Sequence, residues 1–235
     1  MLRISLVFIL LMIVNQHTYG LDVPANEYYK NFKRAKEQTE KKFEVLAQVK
    51  KIPENKNDLP IAYKIVVSDE SIHVTPISVQ KETLYEWKIL GNKITKSKYH
   101  PSKSMKAELA NWDSEVAEGV SLRDVLFFHL QWPNDYTPEL KGTTHADAIL
   151  ELQAKKNPSK YMNYSKINMS MEKMTFLPSR MDFYQSRNAK EISKTYVYKK
   201  FTKGLGQYFP RIMEITNPKN QKTKKLSYFH LKRND

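Results

Sequence analysis

The sequence predicts a mainly β (α+β) protein: an unclosed antiparallel β-barrel, or strongly curved sheet, with an N-terminal helix and a short helical insertion covering the concave side. Three observations predict it. From Pro60 onward, apolar residues recur with period two over many short runs. Turn signals such as Gly91-Asn92 and Asn157-Pro158-Ser159 separate the runs and imply hairpin links between antiparallel strands. Helical signals are confined to residues 25–50, a turn at 103–111 and a short stretch after Ser121. Eight to eleven consecutive antiparallel strands normally curl into a barrel or half-barrel.

Residues 1–20 read as a cleavable export signal. Arg3 supplies the positive end, residues 4–14 are apolar, and Thr18 and Gly20 stand at the −3 and −1 positions. The apolar run is too short to span a bilayer, which takes roughly 20 residues. Residues 21–235 are then expected to form one domain, exported from the cytoplasm and unanchored by any later span. The chain has no cysteine, which excludes disulfides, thiolate catalysis and cysteine zinc sites.

Tyr28, Phe32, Ala35, Phe43, Leu46 and Val49 recur at steps of three and four or their multiples. Residues 25–50 therefore read as one amphipathic helix, begun after Pro24 and stopped by Pro53. Ile61, Tyr63, Ile65 and Val67 share a strand face. Residues 68–71 turn the chain, and residues 72–79 return. Tyr85, Trp87 and Ile89 line the next strand, and residues 94–99 pair with it across Gly91-Asn92. Residues 103–111 read as a helical turn, and Ser121 caps a short helix running to Leu130. Ala148, Leu150, Leu152 and Ala154 then alternate with Ile149, Glu151 and Gln153. Residues 161–171, 174–185, 193–201, 211–216 and 226–231 complete the strands, with Gly204 and Gly206 in one loop.

Little in the sequence carries chemistry. His145 and Asp147 stand two apart and would share a strand face, but no nucleophile motif accompanies them. Gly204-Leu205-Gly206 lacks the third glycine of a dinucleotide loop. The chain is therefore expected to be no enzyme and to carry no cofactor or metal. The formal charge of +14 favours anionic partners; losing residues 1–20 removes one cation, Arg3, and leaves +13. Lys219, Lys222, Lys224 and Lys225, with Tyr228 and Phe229 nearby, form a candidate contact for an anionic surface. On charge and aromatics alone, a binding module for an anionic polymer or nucleic acid is the alternative reading.

The second half shows a particular order of elements. Gly142 is followed by a strand at 149–154, then Tyr161, then Leu177-Pro178 leading into Asp182-Phe183-Tyr184. Residues 194–201 follow, then Phe209-Pro210-Arg211-Ile212-Met213-Glu214-Ile215, and Thr223 before the last strand. This order resembles the LolA-like family of outer-membrane lipoprotein-sorting proteins, over residues 85–235 and best over 142–231. The leading export signal and helix agree, as does the segment 120–124 before Trp132. The resemblance implies an unclosed barrel plugged by helices, with an apolar cavity for acyl chains. It implies a non-enzymatic periplasmic carrier of a lipid or lipoprotein. The implied partners are a membrane surface touched transiently and an inner-membrane transporter of the RND type. A monomer is expected, and nucleic acid is not the expected ligand. Tyr85, Trp87 and Ile89, then Leu150 and Leu152, then Val197 and Phe201, then Met213 and Ile215 are the stripes expected to line the cavity.

Overall fold

The computed structural model describes residues 24–37, 42–52, 59–77, 84–100, 102–128, 130, 132–155, 162–204, 207–219 and 221–233. The expected export signal at 1–20 lies outside the described residues.

Helix α1 spans Ala25–Glu37. Six strands follow: β1 (Phe43–Ile52), β2 (Ile61–Val67), β3 (Ser71–Pro76), β4 (Tyr85–Leu90), β5 (Lys93–Lys98) and β6 (Glu108–Leu109). An insert comes next, made of β7 (Glu115–Ala117), β8 (Val120–Ser121), helix α2 (Leu122–Leu126) and a 3-10 turn at Trp132–Asp135. Seven more strands close the described chain: β9 (Tyr136–Thr143), β10 (Asp147–Ala154), β11 (Lys166–Glu172), β12 (Pro178–Tyr184), β13 (Lys194–Gly204), β14 (Gln207–Asn217) and β15 (Lys222–Arg233).

All but β7 and β8 belong to one antiparallel sheet, ordered β6-β5-β4-β3-β2-β1-β15-β14-β13-β12-β11-β10-β9. Two meanders of hairpins are thus joined where the first strand pairs with the last, from Phe43 opposite Arg233 to Ile52 opposite Thr223. The sheet is not closed into a barrel: β6 and β9 are its two edges.

The long N-terminal helix of the sequence reading is corrected. Only residues 25–37 are helical, and Phe43, Leu46 and Val49 lie on β1. Steps of three fit both periods in part, but Phe43, Val45, Ala47 and Val49 alternate, and these four are the buried set. Leu46 falls on the other face and is only half-buried. Pairing on both edges, with β2 and β15, decides for the strand. Local helical propensity is a weak competitor against that much tertiary pairing.

Two smaller departures share a cause. Residues 103–111 hold the two-residue edge strand β6 instead of a helical turn. Residues 136–143, which show no clear alternation and contain Pro138 and Gly142, form edge strand β9. An edge strand tolerates proline because one side of its ladder needs no donor. The hairpins expected at 68–71 and at Gly91-Asn92 are present, and Gly91 takes φ +54 as its turn requires. Helix α2 begins at the expected Ser121 with a reciprocal capping box. The Asp124 backbone N–H donates to the Ser121 hydroxyl, and the Ser121 N–H donates to the Asp124 carboxylate at 2.7 Å. It ends at Leu126, short of the expected Leu130.

The insert is wrapped by the sheet. The Tyr63 hydroxyl of β2 donates to the Val116 carbonyl at 2.5 Å, and the Tyr228 hydroxyl of β15 donates to the Val125 carbonyl at 2.8 Å. Phe127 packs edge-on against Phe183 of β12 and Tyr196 of β13. In a flat sheet β2 and β12 would lie about 24 Å apart at roughly 4.8 Å per strand. The insert reaches both strands at once, through Val116 and Phe127, and the sheet curves around it. Helix α1 covers the same side: the Tyr29 hydroxyl donates to the Pro133 carbonyl, Phe32 meets Trp132, and Tyr28 meets Phe176.

Candidate functional site

The inner face of the sheet meets the insert through aromatic rings. Phe127 lies 5.1 Å from Trp132 and 5.0 Å from Tyr196, centroid to centroid, and Phe128 lies 5.4 Å from Tyr198. Phe209 meets Tyr228 at 5.0 Å and Phe43 at 6.2 Å. Such tilted and edge-on pairs add to the burial of large apolar area.

One polar node is set among these rings. The Asp124 carboxylate is fully buried and receives the Lys194 ammonium at 2.8 and 2.9 Å as well as the Tyr196 hydroxyl. Burial disfavours the Lys194 cation, but the Asp124 charge and hydrogen bond more than offset it, and the lysine pKa is raised. Burial first, and the Asp124 charge second, hold the Tyr196 hydroxyl well above its usual pKa. Next along α2, Arg123 is buried and donates to Asp113 and Asn163, both at 2.6 Å. These bonds fasten the insert to β13 and to the segment before β11.

Most of the expected lining residues do share the inner face. Trp87, Ile89, Leu150, Leu152, Met213 and Ile215 are buried in the common core, and Tyr85 packs against it half-buried. Val197 does not: Tyr196 and Tyr198 take the inner positions on β13, and Val197 stands half-buried on the other face. Phe201 nevertheless reaches the core, stacked on Tyr198 at 5.6 Å. Irregular register between Tyr198 and Phe201 separates the two faces that a regular strand would have joined. Leu150, Leu152 and Met213 are 0% exposed, so they border packed side chains.

The largest opening among the described pockets lies elsewhere, at a split in the sheet. Pairing between β14 and β15 runs from Asn217–Lys222 to Ile212–Ser227. Beyond that, β14 stays with β13, while β15 stays with β1. His230 takes φ +50 where the β1–β15 register shifts between Glu44 and Leu46, a bulge that turns β15 away. A pocket of about 460 Å³ opens between the strands, lined by Val45, Thr202, Lys203, Phe209, Arg211, Tyr228, Phe229, His230 and Leu231. Its wall is aromatic and aliphatic, and Lys203, Arg211 and His230 put basic groups beside it. Sequence reasoning placed Phe229 near a basic patch but missed the pocket, because a register break leaves no periodic signal. Smaller pockets of about 200 and 280 Å³ lie beside the 68–71 turn and under α1.

The four lysines expected to contact an anionic surface differ in their surroundings. Lys219 is exposed in the β14–β15 turn, and Lys225 points away from the inner face. Lys222 and Lys224 instead reach the tip of the β7–β8 hairpin, where Glu118 accepts from them at 2.6 and 3.2 Å; Lys51 lies 3.6 Å from the same carboxylate. The hydrogen bonds from Lys222 and then Lys224 lower the Glu118 pKa to about 2.

His145 and Asp147 lie in and just after the β9–β10 turn, where the Asp147 backbone N–H donates to the Thr144 hydroxyl at 2.9 Å. Among the described residues, no group of three or more His, Asp or Glu could hold a metal ion. No described helix is long and apolar enough to cross a membrane.

This open antiparallel sheet curled around a helical insert is a LolA-like fold. It is similar to the LolA superfamily protein NE2245 of Nitrosomonas europaea at 18% identity and TM-score 0.64, over 91% of this chain and 94% of that one. A DUF1329 family protein of Desulfovibrio piger matches at 14% identity and TM-score 0.68, over 90% and 93% of the two chains. A Vibrio parahaemolyticus domain named for outer-membrane lipoprotein sorting matches at 14% identity and TM-score 0.62, over 89% and 93%. By sequence, a family model described as "Uncharacterized protein" matches residues 117–235, just over half of the chain, and the chain belongs to that family. No curated protein matches.

Proposed function

We propose that this chain is a non-enzymatic periplasmic carrier or binding protein for an acylated ligand, a lipid or a lipoprotein, acting in outer-membrane lipid or lipoprotein sorting. The pocket at the β14–β15 split carries the reading. Its volume of about 460 Å³ falls in the range of ligand sites, about 300–1,000 Å³. Val45, Phe209, Tyr228, Phe229 and Leu231 offer an acyl chain apolar contact, Lys203 and Arg211 offer a headgroup positive charge, and His230 offers it a hydrogen-bonding ring. Each methylene leaving water contributes about 0.8 kcal/mol. The fold shared with a domain named for lipoprotein sorting supports the same class of cargo. Residues 21–235 act as one exported, monomeric unit in this proposal, meeting an RND-type inner-membrane transporter and touching a membrane to load or unload.

The test is binding of a fluorescent fatty acid and a diacyl lipopeptide to delipidated protein. Leu231→Trp fills the pocket from its half-buried rim and is expected to abolish binding with little change in stability. Absence of probe binding, or binding that Leu231→Trp leaves unchanged, overturns the proposal.

A further inference from the structure

The split between β14 and β15 is written into the chain at two points. The last paired residues on the side of the pocket are Ile212 and Ser227. Continued pairing would bring Pro210 opposite Phe229, and a proline has no backbone N–H to give to a ladder. His230 would follow opposite Phe209. It takes φ +50, a left-handed conformation that residues other than glycine rarely adopt. A proline on one strand and a turned residue on the other thus keep the ladder from closing over the pocket. Backbone held in such a conformation by its surroundings is a mark of ligand sites.

The volume of the pocket bounds what it holds. At about 30 Å³ for each water-sized unit, about 460 Å³ admits about 15 such units. A methylene is of similar size, so one ordinary acyl chain fills the space and a second finds no room in it. A lipid with two chains would leave one in water, and its methylenes would forgo the gain that burial brings. The rim is basic. Lys203 of β13 and Arg211 of β14 are exposed and border the pocket, and the Lys203 ammonium lies 6.0 Å from the Tyr208 ring. Among the described residues that line the pocket there is no Asp or Glu. Arginine presents a planar fork of donors and lysine a point charge, and both suit a phosphate or a carboxylate. Resting on the carrier reading of this pocket, we infer that its ligand is an amphiphile with one acyl chain and an anionic head. The chain lies along Val45, Phe209, Tyr228 and Leu231, and the head meets Lys203 and Arg211.

The test offers four lipids of equal chain length to the delipidated protein, each in the same nonionic detergent, and counts bound lipid by native mass spectrometry. Lysophosphatidylglycerol and a free fatty acid are the single-chain anions, monoacylglycerol is the uncharged single chain, and phosphatidylglycerol is the two-chain anion. At about fivefold for each of two cations, one or both single-chain anions are expected to bind roughly 25-fold more tightly than monoacylglycerol, one molecule to each protein. Preference for lysophosphatidylglycerol assigns the head to a phosphate, and preference for the fatty acid assigns it to a carboxylate. Phosphatidylglycerol is expected to bind more weakly than its single-chain counterpart. Lys203→Gln combined with Arg211→Gln is expected to abolish the preference for anions and to leave monoacylglycerol binding as it was. Equal binding of phosphatidylglycerol and lysophosphatidylglycerol, equal binding of monoacylglycerol and the anions, or a preference that survives the double variant overturns this inference and leaves the carrier reading standing. Absence of binding by all four lipids overturns both.

Discussion

Removing the Asp124 carboxylate tests how the insert is held. Asp124→Ala leaves three donors without their acceptor: the Lys194 ammonium, the Tyr196 hydroxyl and the Ser121 backbone N–H. Lys194 keeps only 16% of its side chain exposed, and Tyr196 keeps none, so water replaces little of what is lost. Breaking a buried ion pair by deleting one partner costs about 3–5 kcal/mol. The stranded tyrosine hydroxyl alone would account for about 1–3 kcal/mol, and the losses overlap because they share one acceptor. The expected total is therefore about 3–5 kcal/mol, against a whole-domain stability of about 5–15 kcal/mol. Urea unfolding followed by tryptophan fluorescence reads this directly, since Trp112 and Trp132 flank α2. The double variant Asp124→Leu/Lys194→Met removes both charges and is expected to regain much of the loss. A loss below about 1 kcal/mol for Asp124→Ala would refute the argument, because that is the range of a surface substitution.

Three further outcomes are expected. Phe127→Ala removes a ring 2% exposed that touches Trp132, Phe183 and Tyr196, and should cost about 3–5 kcal/mol in the same unfolding assay. Leu150→Trp should destabilise by about 1–3 kcal/mol, because Leu150 borders packed side chains; unchanged stability would show room at that position. Alkali should unfold the protein: Tyr63, Tyr136, Tyr196, Tyr198 and Tyr228 all hold their protons more tightly when folded, chiefly through burial, and Lys194 does so through Asp124. A group whose pKa is raised on folding gives stability that is intact below its unfolded pKa and lost as pH rises. The urea midpoint should accordingly hold to about pH 9 and fall above about pH 10, where unfolded tyrosines begin to ionise.

The strands most legible in sequence are those with a clean alternation between tight turns. Tyr63, Ile65, Trp87, Ile89, Leu150 and Leu152 fall on the inner face as their period requires. The capping box at Ser121 is legible for the same reason, since it is local chemistry between residues three apart. What sequence missed depends on distant partners. Residues 43–52 carry both a three-step and a two-step pattern, and only the arrival of β15 beside β1 selects the second. Val197 and Phe201 read as one stripe because a register shift cannot be seen in a list of residues. The same holds for the split at His230, whose positive φ belongs to no glycine and so leaves no mark in composition. Glu118 lies 104 residues in sequence from Lys222, and nothing local pairs them.

The pairing of the first strand with the last has a consequence for how the chain reaches its fold. Each hairpin within the two meanders can form from neighbours in sequence. Phe43 and Arg233 cannot meet until nearly all the chain between them has been made. Contacts so distant in sequence place a protein among the slow folders. Until β15 arrives, β1 and β14 both present open edges, and the inner side of β1 has no neighbour to complete its shelter. Such an intermediate invites strand exchange with other copies. Release from the ribosome, or from any channel that passes the chain N-terminus first, therefore sets the earliest moment at which this sheet can lock. A chaperone that shields the β1 edge until then should raise the yield of folded protein more than one acting on the isolated C-terminal half.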